Sequence, residues 1–273
     1  MKHIHSFHGF ICLLFLLTSG CASSSDAMSK TETRETPVER LIAHSVDDHR
    51  RHYDARSLFS LVPPLVVSGA LATSNADRWV SETWQDDIRS NTSDDISMVF
   101  REFGDVAQAR WSMPAYALTM IGAGYSGYAE RDSAIATWAE RSLRANILGG
   151  PQQLAFCYLL GSPRPEDGQS DWNPWKDNNG ASGHSFYGAV PILTAARMTK
   201  SKGWRYGLYA LSVLPAWSRI NDDQHYLSQA VIGWSLAWLA TGTVAEKPSD
   251  ENSISVMPIL TPDGGYVMMN WNF

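Results

Sequence analysis

Residues 132–160 read DSAIATWAERSLRANILGGPQQLAFCYLL. The run is longer than an ordinary strand, rich in Ala and Leu, and its apolar residues return at spacings of three and four, which puts them on one face of a helix. Outward from it the same texture repeats. Blocks from Arg56 to Thr73, Asp95 to Tyr128, Ser182 to Lys200, Gly203 to Trp217 and Gln224 to Thr241 read the same way. Pro63-Pro64 and Pro114 fall inside two of these blocks, where proline starts, kinks or interrupts a helix. Pro and Gly lie between blocks rather than in one long linker, and no repeat is apparent. The pattern predicts an all-α bundle of about six core helices in a single domain, residues 46–242.

Beyond Gly242 the texture changes. Ile254–Leu260, the turn Pro262-Asp263-Gly264-Gly265 and Tyr266–Phe273 carry the signal of a β-hairpin, so residues 243–273 read as a linker and a C-terminal hairpin. Its last strand alternates Val267, Met269, Trp271 and Phe273, a pattern shared with the last strand of outer-membrane barrels, but one hairpin cannot close a barrel. Packing on the helical domain is the expectation.

The other end reads as an export signal over residues 1–20: basic Lys2, an apolar run from Phe10 to Leu17, then Thr18-Ser19-Gly20-Cys21. The run is too short to span a bilayer. A cysteine after small residues at this place resembles a bacterial lipobox, although Thr18 stands where that motif prefers Leu. The resemblance implies that Cys21 is lipidated, that residues 21–45 tether the domain, and that the chain faces the periplasm. Ala22 rather than Asp after it resembles the pattern for sorting to the outer membrane rather than the inner. A mean hydropathy of −0.22 fits buried helices of a soluble bundle better than a set of membrane spans, so the membrane partner is reached through the lipid.

A formal charge of −6 argues against non-specific nucleic-acid binding. Of the 3 cysteines, Cys12 lies in the signal and Cys21 would carry lipid, leaving Cys157 alone and no disulfide within one mature chain. Cys157 sits among Phe156, Tyr158 and Leu159, surroundings that raise a thiol's pKa and keep it inert. His44, His49 and His52 have no companion pattern of a metal site.

Candidate chemistry gathers in the C-terminal half: Arg164-Pro165, then Ser182-Gly183-His184, then Ser218-Arg219 followed by His225 and Gln229. Arg164 and Arg219 are planar permanent cations suited to phosphate oxygens. Ser182 and Gly183 precede a helix, where a hydroxyl and free N–H groups meet the positive end of the dipole. His184 and His225 are able to serve as acid or nucleophile. Taken singly, each has an ordinary structural explanation: a loop Arg-Pro, a helix start, a core histidine.

In order and spacing, the three motifs resemble the type 2 phosphatidic acid phosphatase/vanadium haloperoxidase superfamily. There the pattern is Lys, six residues, Arg-Pro; then Pro-Ser-Gly-His; then Ser-Arg, five residues, His, three residues, Asp. The resemblance implies a helical fold and a phosphate pocket of Arg164, Ser182, Gly183 and Arg219. It assigns His225 as nucleophile, forming a phosphohistidine, and His184 as the acid that protonates the leaving group. It implies no cofactor and a phosphorylated substrate, with a lipid phosphate among the candidates. Cys157 stands where the family has Lys, Gln229 where it has Asp, and Ala181 where it has Pro. On a helix Gln229 shares a face with His225 and can accept from its ring, but cannot support a cation by charge. Asp222 and Asp223, placed at the helix start, are candidate replacement carboxylates, and Lys176 a replacement cation. Trp172 and Trp175 either line an apolar entrance or pin their loop. The expected function is a periplasmic or outer-membrane-anchored phosphatase acting on a phosphomonoester or diphosphate. The alternative is a weak or silent phosphate-binding envelope lipoprotein; vanadium-dependent halide oxidation, which leans on the missing Lys, is more distant. If position 229 has merely lost its charge, Gln229→Asp should raise turnover.

Overall fold

The computed structural model describes residues 37–125, 134–245, 254–261 and 264–271, the last two segments as backbone. The helices are α1 (Pro37–His52), α2 (Ala55–Phe59), α3 (Val62–Ala72), α4 (Ala76–Thr83), α5 (Asn91–Ala107), α6 (Ala109–Tyr125), α7 (Ala134–Leu160), α8 (Gly183–Met198), α9 (Lys202–Leu211), α10 (Leu214–Asn221) and α11 (Leu227–Ala245). A π-helical turn, Trp84–Ile88, extends α4, and a 3₁₀ turn, Pro165–Asp167, interrupts the loop between α7 and α8. The fold is helical, as the periodicity predicts.

Three helices form the centre. Leu148 of α7, Phe186, Val190 and Leu193 of α8, and Leu236, Ala237 and Ala240 of α11 are all buried in one cluster. Burying each large side chain contributes roughly 1.5–3 kcal/mol. Around this core, α3 lies on α11, α6 on α7, α9 and α5 on α8, and α10 on α5. Tyr116, Ala139 and Leu143 make a separate apolar seam between α6 and α7.

Several boundaries differ from expectation for local reasons. The block from Arg56 divides into α2 and α3, with Pro63 and Pro64 in the first turn of α3, where a missing N–H costs nothing. The block from Asp95 to Tyr128 begins earlier, where Ser90 and Ser93 cap α5 reciprocally at 3.2 and 2.9 Å. It breaks at Gln108 rather than at Pro114, which lies inside α6. The Gln108 backbone turns extended (φ −54, ψ 145) while its side-chain Nε2 donates to the Gly104 carbonyl at 3.4 Å, the acceptor its own N–H would use if the helix continued.

The largest correction is at the N-terminal side, where a tether was expected up to residue 45. Residues 37–52 are helical instead, and α1 packs on α7. Asp48 is fully buried and accepts from Arg144 at 2.6 Å and Arg51 at 2.5 Å. His52, also fully buried, lies 3.0 Å from Gln152 and 3.3 Å from Thr243, and His44 lies 2.9 Å from Glu140. Among the described residues no group of His, Cys, Asp and Glu is placed to hold a metal ion. One helical stretch among them, Ala55–Thr73, is long and apolar enough to cross a membrane. Cys21 and the signal, the hairpin's turn 262–263 and all side chains beyond residue 245 lie outside the described residues.

Candidate active site

The loop after α10 is folded back on Arg219. Its carbonyl accepts the N–H of Gln224 at 2.9 Å and of His225 at 3.2 Å, with Asp223 in the left-handed region at φ 53. That closure brings the His225 ring beside the Arg219 guanidinium at the entry to α11. His225 is buried, and its Nδ1 lies 2.7 Å from Gln229 Oε1, one turn along the chain. Burial pushes its pKa down to about 3, opposed by the bond to Gln229 and assisted by Arg219, Arg164 and His184, whose charges all reach the ring. The imidazole is therefore neutral at ordinary pH, the form in which it is a nucleophile.

The two arginines are joined by a residue that the motifs did not single out. Gln224 Oε1 accepts from Arg164 at 3.1 Å and from Arg219 at 3.4 Å, holding two like charges side by side. Arg164 also donates to Asn179 at 3.3 Å. Arg219 is buried, and its Nε has no hydrogen-bond partner among the described residues. Leaving a charged donor unpaired in the interior costs on the order of a few kcal/mol, which an anion's oxygen would recover.

The second motif enters from α8. Ser182 caps it, accepting from the Ser185 N–H at 3.3 Å, and donates its own backbone N–H to the Gln229 carbonyl at 3.0 Å. Ser182 is fully buried, so half-exposed Gly183 presents the helix end. Gly233 allows α11 to come this close: a Cβ there would stand 2.3 Å from the Ser182 carbonyl oxygen. Gly104 does the same on the opposite side, where a Cβ would meet the His184 ring at 3.0 Å. Its neighbour Asp105 consequently reaches His184 Nε2 at 2.9 Å. Asp105 went unnoticed in the sequence because it lies 79 positions away on another helix. Burial and the nearby Arg219 hold the His184 pKa below the ordinary histidine value; the Asp105 bond works the other way.

Proposed substitutes for the missing Lys and Asp are elsewhere. Asp222 caps the end of α10 rather than starting a helix, and pairs with Ser97 at 2.6 Å and Arg101 at 3.3 Å. Asp223 accepts from Ser81 at 3.0 Å. Lys176 is exposed on its loop. The Cys157 thiol donates to the Ala181 carbonyl at 3.1 Å, and burial pushes its pKa up.

A cavity of 1190 Å³ opens from His184 and Asp105 between α6 and α7, walled mostly by apolar side chains including Met113, Ile147, Leu154 and Tyr187. Trp175, at its edge, is 72% exposed and sits in the left-handed region at φ 68, its N–H on the Tyr158 carbonyl at 2.9 Å. Trp172 instead packs its ring on Gly69 of α3 and pins the loop. A separate cavity of 620 Å³ beside Arg197, Trp234 and Trp238 contains none of the site residues.

Residues 143–252 match the family model of the PAP2 superfamily. Over this segment the chain is similar to that superfamily. The PAP2 segment contains all three motifs, from Cys157 to Gln229, and the central helices α8 and α11. Asp105 and the α6 wall of the cavity fall before it. No curated protein and no solved structure gives a significant match to the chain.

Proposed function

We propose that this PAP2 chain is a phosphatase that hydrolyses a phosphomonoester or diphosphate, with His225 as nucleophile and His184 as acid. The observation that carries this reading is Arg219, whose buried Nε lacks a partner beside a second guanidinium and a neutral imidazole. Such a pocket is complete only with an anion in it. In the first step the His225 Nε2 lone pair attacks phosphorus, the bond from phosphorus to the alcohol oxygen breaks, and that oxygen takes a proton from His184. In the second, neutral His184 takes a proton from water, whose oxygen attacks phosphorus as the N–P bond breaks, releasing phosphate. Arg164, Arg219 and Gly183 hold the oxygens throughout.

The alcohol departs on the His184 side, where the apolar cavity begins. That supports a leaving group with a long apolar chain, as in a lipid phosphate. Export, lipidation of Cys21 and attachment to the periplasmic face of a membrane, more readily the outer one, belong to the same reading and rest on the N-terminal sequence. The C-terminal hairpin is likewise part of the proposal and rests on the sequence pattern of residues 254–273.

A second reading has one observation in its favour. The family's Lys position holds a thiol turned toward a backbone carbonyl, which leaves the pocket one cation short and suits phosphate binding without turnover. Phosphate release from p-nitrophenyl phosphate and from a detergent-dispersed long-chain lipid phosphate, with chelator present, separates the two. Release well above a His225→Ala control, faster with the lipid, is expected. Release equal to that control, with phosphate still bound, would replace the enzyme by the binding module.

A further inference from the structure

Every polar atom of the Gln229 side chain is engaged, and the groups that engage it cannot reverse. Nε2 donates to the Pro163 carbonyl at 2.6 Å and to Ser162 Oγ at 2.9 Å. A carbonyl only accepts. Ser162 Oγ spends its own hydrogen on the Ser170 carbonyl at 3.2 Å, or at 3.5 Å on that of Pro163, both acceptors, so a lone pair faces Gln229. At the other end, Gln229 Oε1 accepts the Tyr226 backbone N–H at 3.2 Å, a group that only donates. Turning the amide over would set hydrogen against hydrogen at Tyr226 and oxygen against oxygen at Pro163. Ser162 and Gln229 are both fully buried, so water is not at hand to repair either clash. With Oε1 thus fixed toward His225 Nδ1 at 2.7 Å, Nδ1 must carry the ring hydrogen and Nε2 the lone pair.

We infer that Ser162 and Gln229 form a relay of fixed polarity, anchored on the carbonyls of Ser170 and Pro163, that sets the reactive tautomer of His225, with Ser162 as a positioning residue. The inference deepens the phosphatase reading and rests on His225 as its nucleophile. It reverses the expectation drawn from the lost charge at position 229. The pocket is built around an amide: a carboxylate has no donor for the Pro163 carbonyl, and Asp is also too short to span the same contacts. Gln229→Asp and the isosteric Gln229→Glu should therefore both lower turnover.

The relay is tested on the full chain by ¹⁵N NMR of its histidines, with the His225 signals identified by their loss in His225→Asn. A protonated, pyrrole-type Nδ1 and a bare, pyridine-type Nε2 are expected for His225. With p-nitrophenyl phosphate, Ser162→Ala should lower kcat about tenfold with little change in KM and mix the two tautomers. Gln229→Glu should lower kcat by about a hundredfold. An Nε2–H tautomer in the wild type, or a Gln229→Glu variant faster than wild type, overturns the relay. If Ser162→Ala does not fold, Gln229→Glu with wild-type circular dichroism still decides. The expected tautomer in a protein that releases no phosphate would instead sink the phosphatase reading and leave the relay standing.

Discussion

The two histidines of the pocket live under opposite regimes. His225 is enclosed, and its partner Gln229 is held by backbone groups of Pro163 and Tyr226. His184 has a side chain 22% exposed at the edge of an apolar cavity, and its partner Asp105, 53% exposed, is a carboxylate open to solvent. One is fixed by geometry and the other is adjustable by charge. On the proposed reading, the contrast explains how the pocket does without a carboxylate beside His225: a neutral imidazole held in the right tautomer needs direction rather than counter-charge. The proposed acid role of His184 leaves no such freedom, because there a proton must be held and then released.

Breaking the enclosed side should cost most. His225→Ala is expected to lower phosphate release by about 10⁴-fold or more, whatever the leaving group, because it removes the proposed nucleophile. Breaking the adjustable side should cost less and depend on the substrate. His184→Ala should lower turnover by roughly 10²- to 10⁴-fold for an aliphatic alcohol, and far less for p-nitrophenyl phosphate, whose leaving anion needs no proton. Equal losses for the two substrates would remove the acid role.

The pH profile separates the two regimes further. His225 must be neutral, so activity falls on the acid side only as pH drops toward about 3. His184 must be protonated, and burial and Arg219 hold its pKa below the usual value, so activity falls as pH rises through that lowered pKa. An acidic optimum results. Asp105→Asn removes a group that favours the protonated ring, so the alkaline limb should move to lower pH while the acid limb stays, with a loss of about tenfold near pH 6 for each unit of movement. A limb unmoved in Asp105→Asn would detach that carboxylate from the chemistry. The smallest effect is expected in the cavity: Leu154→Gln should reduce the preference for a long-chain over a short-chain phosphate ester by about three- to tenfold, read as the ratio of the two kcat/KM values.

Much of this arrangement is legible in the sequence because it is local. The three-and-four spacing finds the core helices, and the Arg-Pro, Ser-Gly-His and Ser-Arg…His spacings name residues that the fold does bring together. What escapes is of two kinds. Asp105 and Gln224 are ordinary polar residues until distant helices bring Asp105 to His184 and Gln224 to the two arginines. The role of Gln229 escapes for a different reason: half of its partners are main-chain groups, of Pro163 and Tyr226, and side-chain identity does not report them. Asp48 escapes for the first reason, since its partner Arg144 lies 96 positions away on α7.

Cys157 gives the molecule a built-in clock. Its sulfur is buried against the Ala181 carbonyl, one residue before the cap of α8, and its pKa is raised. Because Cys157 is buried between α7 and the residue before the α8 cap, its alkylation is expected to require α7 and the start of α8 to part, which would also loosen the proposed phosphate contact at Gly183. The rate at which Cys157 is alkylated, followed at several reagent concentrations, thus measures how often that cradle opens and closes in the resting protein. A bound phosphate analogue should slow it in proportion to occupancy.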